Sequence, residues 1–209
     1  MPVDKLFNSP QEALACLSDG QVIGVSGFEG QGEPIALLRE LSKMNIQKLT
    51  LLFDFPTSIS SEGSSVLYDL CLSGRVQEVI TCNRASEYVG VSSELVDKVK
   101  LTFVERNLLA EQLRVIGAGL GSVEFVRPSE NAMRYEGIRL DVALIKGFQS
   151  DHLGNTVYQG TSRNWSPVMA MAARITIAES DSYVEPGVID PEGIITPGIY
   201  INRIVCVNS

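Results

Sequence analysis

The stretch QVIGVSGFEGQGEPIALLRELSKMNIQKLTLLF, residues 21–53, reads as one complete βαβ unit. Gln21–Ser26 is a short apolar run of the kind a buried strand makes. Pro34–Met44 spaces its apolar residues for a helix face, with the proline placed at the first turn. Lys48–Phe53 returns to a continuous apolar run. The same alternation continues outward along the chain. Strands are expected over 76–82, 99–104, 140–146, 174–178 and 204–207, and helices over 64–72, 87–96, 108–115 and 166–173. Strands buried on both faces read as unbroken apolar runs such as VALI and VITC, which is the mark of a parallel sheet. The fold class is therefore α/β, a single domain over 1–209 with a mainly parallel central sheet flanked by helices. The Gly- and Pro-rich segment from about 183 to 209 is expected to run as an extended C-terminal arm.

Composition narrows the function. The chain has 209 residues, 44% hydrophobic and 20% charged, with a formal charge of −8. A net acidic chain without a Lys/Arg run is a poor partner for nucleic acid or an anionic membrane surface. No apolar run reaches the ~18 residues that span a bilayer, and the first twenty residues lack the pattern of a secretory signal, so a cytoplasmic location is expected. Cys16, Cys71, Cys82 and Cys206 are scattered among apolar neighbours and read as reduced core thiols. With His152 as the single histidine, a structural zinc site is not expected.

The chemistry-bearing stretch is the turn inside the opening unit, SGFEGQGEP at 26–34. Gly27, Gly30 and Gly32 free the backbone to gather N–H groups beside a helix N-terminus. That arrangement suits a phosphate or an oxyanion developing on a carbonyl. It is neither the GxGxxG dinucleotide fingerprint nor a Walker loop. A tight strand-to-helix turn with no ligand is the competing reading.

VSGFEGQGEP also resembles the (V)GGFxxxGxP signature of the α subunit of class I CoA-transferases. Further blocks carry the same resemblance: LLAEQLRVIGAGLG at 108–121, RLDVALIKG at 139–147, DHLGN at 151–155, TSRNWSPVMAMAA at 161–173 and the YVEPG to NRIV tail. The resemblance runs from about Asp19 to Val207. It implies a NagB/CoA-transferase-like fold and transfer of CoA from an acyl-CoA to a small carboxylic acid, with coenzyme A as substrate and no permanently bound cofactor. It implies a β partner, in an α2β2 assembly, that carries the nucleophilic glutamate in a Ser-Glu-Asn-Gly-like motif. This chain would then hold no nucleophile of its own. Its loop Ser26, Gly27, Phe28, Glu29, Gly30, Gln31 and Gly32 would contact CoA or the thioester oxygen.

Two local look-alikes of the β motif, Ser61-Glu62-Gly63 and Ser129-Glu130-Asn131, are read as solvated loop carboxylates. Four departures from the family pattern stand out. Ser26 replaces the first Gly of the GGF signature, and Gly24 occupies a slot for a larger apolar residue. Glu105-Arg106-Asn107-Leu108-Leu109 replaces PQGTL, whose Gln helps form the oxyanion hole. The loop after Gly121 is shortened. Either Arg106 supplies the missing donor, or the reaction is a related one, such as acyl-CoA hydrolysis or C–C cleavage, or the protein binds CoA without turnover. Arg163-Asn164 falls near the site or a subunit contact, Trp165 and the Met169/Met171 pair read as packing, and His152 as a surface residue.

Overall fold

The structure is a computed structural model that describes residues 4–55, 61–82, 93–125 and 133–207. In chain order its strands are β1 (Leu6–Phe7), β2 (Val22–Val25), β3 (Leu49–Leu52), β4 (Val76–Thr81), β5 (Lys100–Phe103), β6 (Ser122–Phe125), β7 (Met133–Glu136), β8 (Leu140–Asp151), β9 (Thr156–Val157), β10 (Ala173–Val184) and β11 (Arg203–Cys206). Its helices are α1 (Pro10–Leu14), α2 (Ile35–Lys43), α3 (Glu62–Leu72), α4 (Ser93–Lys98), α5 (Arg106–Gly117) and α6 (Ser166–Ala172).

The central sheet runs β1-β11-β10-β8-β2-β3-β4-β5, with β9 added to β8. Every neighbouring pair on that path is parallel, and only the short β9 runs antiparallel. The alternation of side chains along each strand splits the core into two layers. Ile23, Val25, Leu49, Leu51, Val142 and Leu144 pack under α1 to α4. Leu52, Leu140, Ala143 and Ile145 pack under α5 and α6. The expected α/β architecture is what forms.

Four findings refine the expected elements. Helix α5 begins at Arg106 and α3 at Glu62, each two residues before the apolar spacing suggests. Of the helix expected over 87–96, residues 93–96 lie in α4 and the rest fall outside the described residues. The shortened loop after Gly121 contains an antiparallel hairpin, β6–β7, that no apolar run announced. Strands β8 and β10 run on as a parallel pair to Asp151 and Val184, beyond the expected ends near 146 and 178.

The C-terminal segment is held at defined points. Asp151 takes the backbone N–H groups of Leu153 and Asn155, both at 2.9 Å, closing the turn that the DHLGN spacing encodes. Asn155 Oδ1 in turn accepts from the Gly198 N–H at 2.9 Å, and Lys5 Nζ donates to the carbonyls of Leu153 and Gly198. Ile189 and Ile201 are buried, and the chain re-enters the sheet as β11 between β1 and β10. The slot left by Gly24 is filled by Leu140, whose Cδ1 lies 2.5 Å from where a Cβ would stand. All four cysteines are free thiols, Cys71 and Cys82 buried and the other two half-buried.

Candidate active site

The segments after β2, β3, β4 and β5 all leave the same, carboxyl edge of the parallel sheet, the edge where ligands of open α/β sheets bind. The glycine loop follows β2. Its tip is a two-residue hairpin: Phe28 and Gln31 exchange both backbone hydrogen bonds at 2.9 Å, with Glu29 and Gly30 between them. Both turn residues have positive φ, 48° and 82°, as a type I′ turn requires, and Gly30 meets that demand without a Cβ. Gly32 is required for a second reason. A Cβ there would stand 2.6 Å from the carbonyl oxygen of Ser162 and 2.8 Å from Asn164 Nδ2.

Asn164 explains that close approach. Its Oδ1 accepts from the Gly27 N–H at 3.2 Å, and its Nδ2 donates to the Gln31 carbonyl at 2.9 Å. One amide therefore ties both limbs of the loop to the N-terminus of α6. Ser26 is also structural. It is buried, its hydroxyl donates to the Gly32 carbonyl at 2.8 Å, and it accepts from the Lys146 N–H at 3.1 Å. Within the predicted stretch, Ser26 and Gly27 thus build the loop, while Phe28, Glu29 and Gln31 face solvent. Among the described residues, the N–H groups of Gly30 and Gly32 have no hydrogen-bond partner.

The helix N-terminus beside the loop is already occupied, which corrects one expectation. Glu179, on β10 and 3% exposed, accepts from the N–H groups of Ala36 and Leu37 at 2.7 and 3.1 Å. An internal carboxylate thus takes the position where an incoming phosphate would sit on α2. Lys146 Nζ neutralises it at 3.1 Å and reaches Asp181 at 2.6 Å. Burial disfavours the Lys146 charge, but these two carboxylates more than offset it and raise its pKa.

Arg106 is the residue that the structure brings to the loop. It opens α5, and its guanidinium lies 5.0 Å from the centroid of the Phe28 ring, a cation–π contact. Beneath it is a cluster that the sequence did not reveal. Asp54, two residues past β3, approaches Arg106 Nη2 at 3.3 Å. It also accepts from Trp165 Nε1 at 3.1 Å and from Cys82 Sγ at 3.2 Å. Trp165 is thus buried packing, as expected, and a hydrogen-bond donor as well. Burial first, and the Asp54 charge second, push the Cys82 thiol up to about 12, so it stays a protonated donor. The one advance signal for Asp54 was an acidic residue directly behind an apolar strand run.

Glu33 is another missed residue. It closes the loop, is 8% exposed, and accepts from the Ser61 hydroxyl at 3.0 Å. Burial raises its pKa from the ordinary 4.5, with the Ser61 hydrogen bond opposing. A carboxyl with a raised folded-state pKa contributes stability that is fully present below its unfolded pKa. That contribution is lost as pH rises through the folded value. Glu33→Gln is therefore expected to melt higher than the wild-type chain at pH 7 and together with it near pH 4. Thermal melts at the two pH values check this; an equal gap at both would contradict it.

Glu62 is the described look-alike of a nucleophile. It lies in the first turn of α3, and Arg39 holds both of its carboxylate oxygens, Nη2 to Oε2 at 2.8 Å. The Arg39 hydrogen bonds hold its pKa low. Glu130 lies outside the described residues. Glu62→Gln is expected to leave the activity of the complex within about threefold of wild type, because a surface ion pair of this kind contributes little. A loss beyond a hundredfold would overturn this. His152, expected at the surface, is half-buried and stacks on Tyr183 with ring centroids 4.5 Å apart. Among the described residues no group of three or more His, Cys, Asp or Glu is placed to hold a metal ion.

The coenzyme A transferase family model matches residues 7–129 and 130–207. The chain belongs to the coenzyme A transferase family. Among its relatives is a 3-oxoadipate CoA-transferase subunit of Acinetobacter baylyi, 31% identical over 224 residues, covering 99% of this chain and 96% of that one. The alpha subunit of the acetate CoA-transferase of Escherichia coli is 32% identical over 215 residues, covering 93% and 94%. Both relatives are single subunits of CoA-transferases, so this chain is the counterpart of one subunit. Glutaconate coenzyme A-transferase of Acidaminococcus fermentans shares the fold with a TM-score of 0.81 and 18% identity, over 97% of this chain and 75% of that chain. An acyl-CoA transferase of E. coli O157:H7, solved as a thioester complex with CoA, superposes with a TM-score of 0.78 and 14% identity. That match covers 97% of this chain and 49% of the other, so the CoA-transferase chain described here spans about half the length of that relative. No helix among the described residues is long and apolar enough to cross a membrane.

Proposed function

We propose that this chain is the α subunit of a heteromeric CoA-transferase that moves CoA from an acyl-CoA to a small carboxylic acid. The partner β subunit, in an α2β2 assembly, supplies a glutamate. Its carboxylate oxygen attacks the thioester carbonyl, the C–S bond breaks, and CoA leaves as thiolate from an acyl-glutamyl anhydride. The thiolate then attacks the glutamyl carbonyl, releases the first acid and leaves a glutamyl-CoA thioester. The incoming acid reverses both steps. The loop Ser26–Gly32 and Arg106 form the facing wall. The hairpin tip contacts CoA, and the N–H groups of Gly30 and Gly32, with the Arg106 guanidinium, stabilise charge on the thioester oxygen.

The observation that carries this reading is the placement of Arg106. It stands on the Phe28 ring of the glycine loop, at the carboxyl edge of the sheet, in a chain of this family. The location proposed is the cytoplasm, in keeping with four free thiols. The test is reconstitution with the β subunit in the presence of a radiolabelled acid. Label entering the acyl-CoA pool supports transfer. Loss of thioester without an acceptor would replace it with hydrolysis, and CoA binding without turnover would replace it with a binding role.

A further inference from the structure

Asp54 is a buried carboxylate with an unusual set of neighbours. Its side chain is 2% exposed, against 48% for that of Arg106. Two neutral donors from separate elements hold it: the Trp165 indole at the start of α6, 3.1 Å from Oδ2, and the Cys82 thiol at the end of β4, 3.2 Å from Oδ1. A carboxylate this deep needs a cation, and Arg106 answers it from the open side, Nη2 standing 3.3 Å from Oδ2 and 3.4 Å from Oδ1. Those contacts are longer than the ~2.8 Å of an ideal charged hydrogen bond, so the pair orients the guanidinium without drawing it into the interior. Phe28 fixes the other coordinate, its ring lying 5.0 Å from the guanidinium carbon. The ends of β3 and β4, the starts of α5 and α6, and the glycine loop therefore meet on the Asp54–Arg106 pair.

We propose that Asp54 is a positioning residue that sets where the Arg106 guanidinium stands above the loop, with Trp165 and Cys82 fixing the carboxylate in turn. The inference rests on the assignment of Arg106 to the thioester oxygen made above. The carboxylate itself touches no substrate. Its effect is exerted through the angle and depth of the guanidinium, and an ångström of misplacement at a reacting centre costs on the order of a hundredfold in rate.

The test is a set of double-mutant cycles in the reconstituted complex, read as kcat and KM of CoA exchange. Asp54→Asn is expected to lower kcat 10- to 100-fold with KM for acyl-CoA within about threefold. Arg106→Ala is expected to lower it further, and the double variant to be no worse than Arg106→Ala alone, because both act through one group. Trp165→Phe removes a single donor to the carboxylate. It should cost several-fold in the wild-type background and nothing in the Arg106→Ala background, and it decides the matter if Asp54→Asn does not assemble with its partner. Losses that add in both cycles would show that the cluster merely supports the fold, and would overturn the proposal. Wild-type kcat in Asp54→Asn would overturn it while leaving the role of Arg106 intact. Wild-type kcat in Arg106→Ala would overturn that role and this inference together.

Discussion

Arg106→Ala is expected to lower kcat of CoA exchange in the reconstituted complex by two to three orders of magnitude, the loss typical of removing one oxyanion donor. The residue opens α5 at the carboxyl edge of the sheet, and its guanidinium is held between the Phe28 ring and Asp54. Its side chain remains 48% exposed, so it can reach a substrate as well as its internal partners. The family pattern that this chain resembles has a neutral glutamine here. Arg106→Gln should therefore recover more activity than Arg106→Lys, whose ammonium lacks the planar fork and stands as a compact point charge. Steady-state kinetics of the three variants check this. An alanine variant within threefold of wild type would remove Arg106 from the site. A melting temperature unchanged by the substitution would separate lost chemistry from lost packing on Phe28.

The second large effect concerns stability. Glu179→Ala is expected to cost about 3–5 kcal/mol, lowering the melting temperature by roughly 10 °C, because it breaks a buried charge network at one partner. The substitution strands the N–H groups of Ala36 and Leu37 at the start of α2, which has no side-chain cap of its own. It also takes one of two carboxylates from Lys146, whose side chain is 17% exposed. Glu179→Gln keeps an acceptor for the helix and should cost less. Replacing Glu179 by leucine together with Lys146 by methionine should cost less than Glu179→Ala alone, since the charge that then loses its partner, Asp181, has a side chain 37% exposed to water. Denaturant melts of the variants check this. A change under about 1 kcal/mol for Glu179→Ala would contradict the account of how α2 is anchored.

How much of this was legible in the sequence follows from which interactions are local. The parallel strands were legible because residues such as Val142 to Ile145 are buried on both faces and leave no polar position to break the run. The outer halves of β8 and β10 were not. Past Lys146 and Ala178 they carry Gln149, Ser150, Asp181 and Ser182, whose polarity reads as loop. The β6–β7 hairpin escaped for the same reason, with Glu124, Arg134 and Glu136 interrupting both short strands. Within the site, the loop showed itself through Gly30 and Gly32, each demanded by backbone geometry. Arg106 stood out as a departure from a known pattern. Asp54 and Glu179 did not show themselves, because their partners lie far off in sequence. Asp54 meets Arg106 across 52 residues, and Glu179 meets Ala36 across 143. Only the folded sheet brings those ends together.

On the function proposed, this chain builds a wall of the site and its partner carries the nucleophile. Intact-mass and peptide mass spectrometry of the reconstituted complex, quenched in the presence of acyl-CoA and no acceptor acid, tests it directly. A CoA adduct is expected on a glutamate of the β subunit, with the α chain unmodified. A CoA adduct on this chain, at Glu62 or at any other carboxylate, would contradict it.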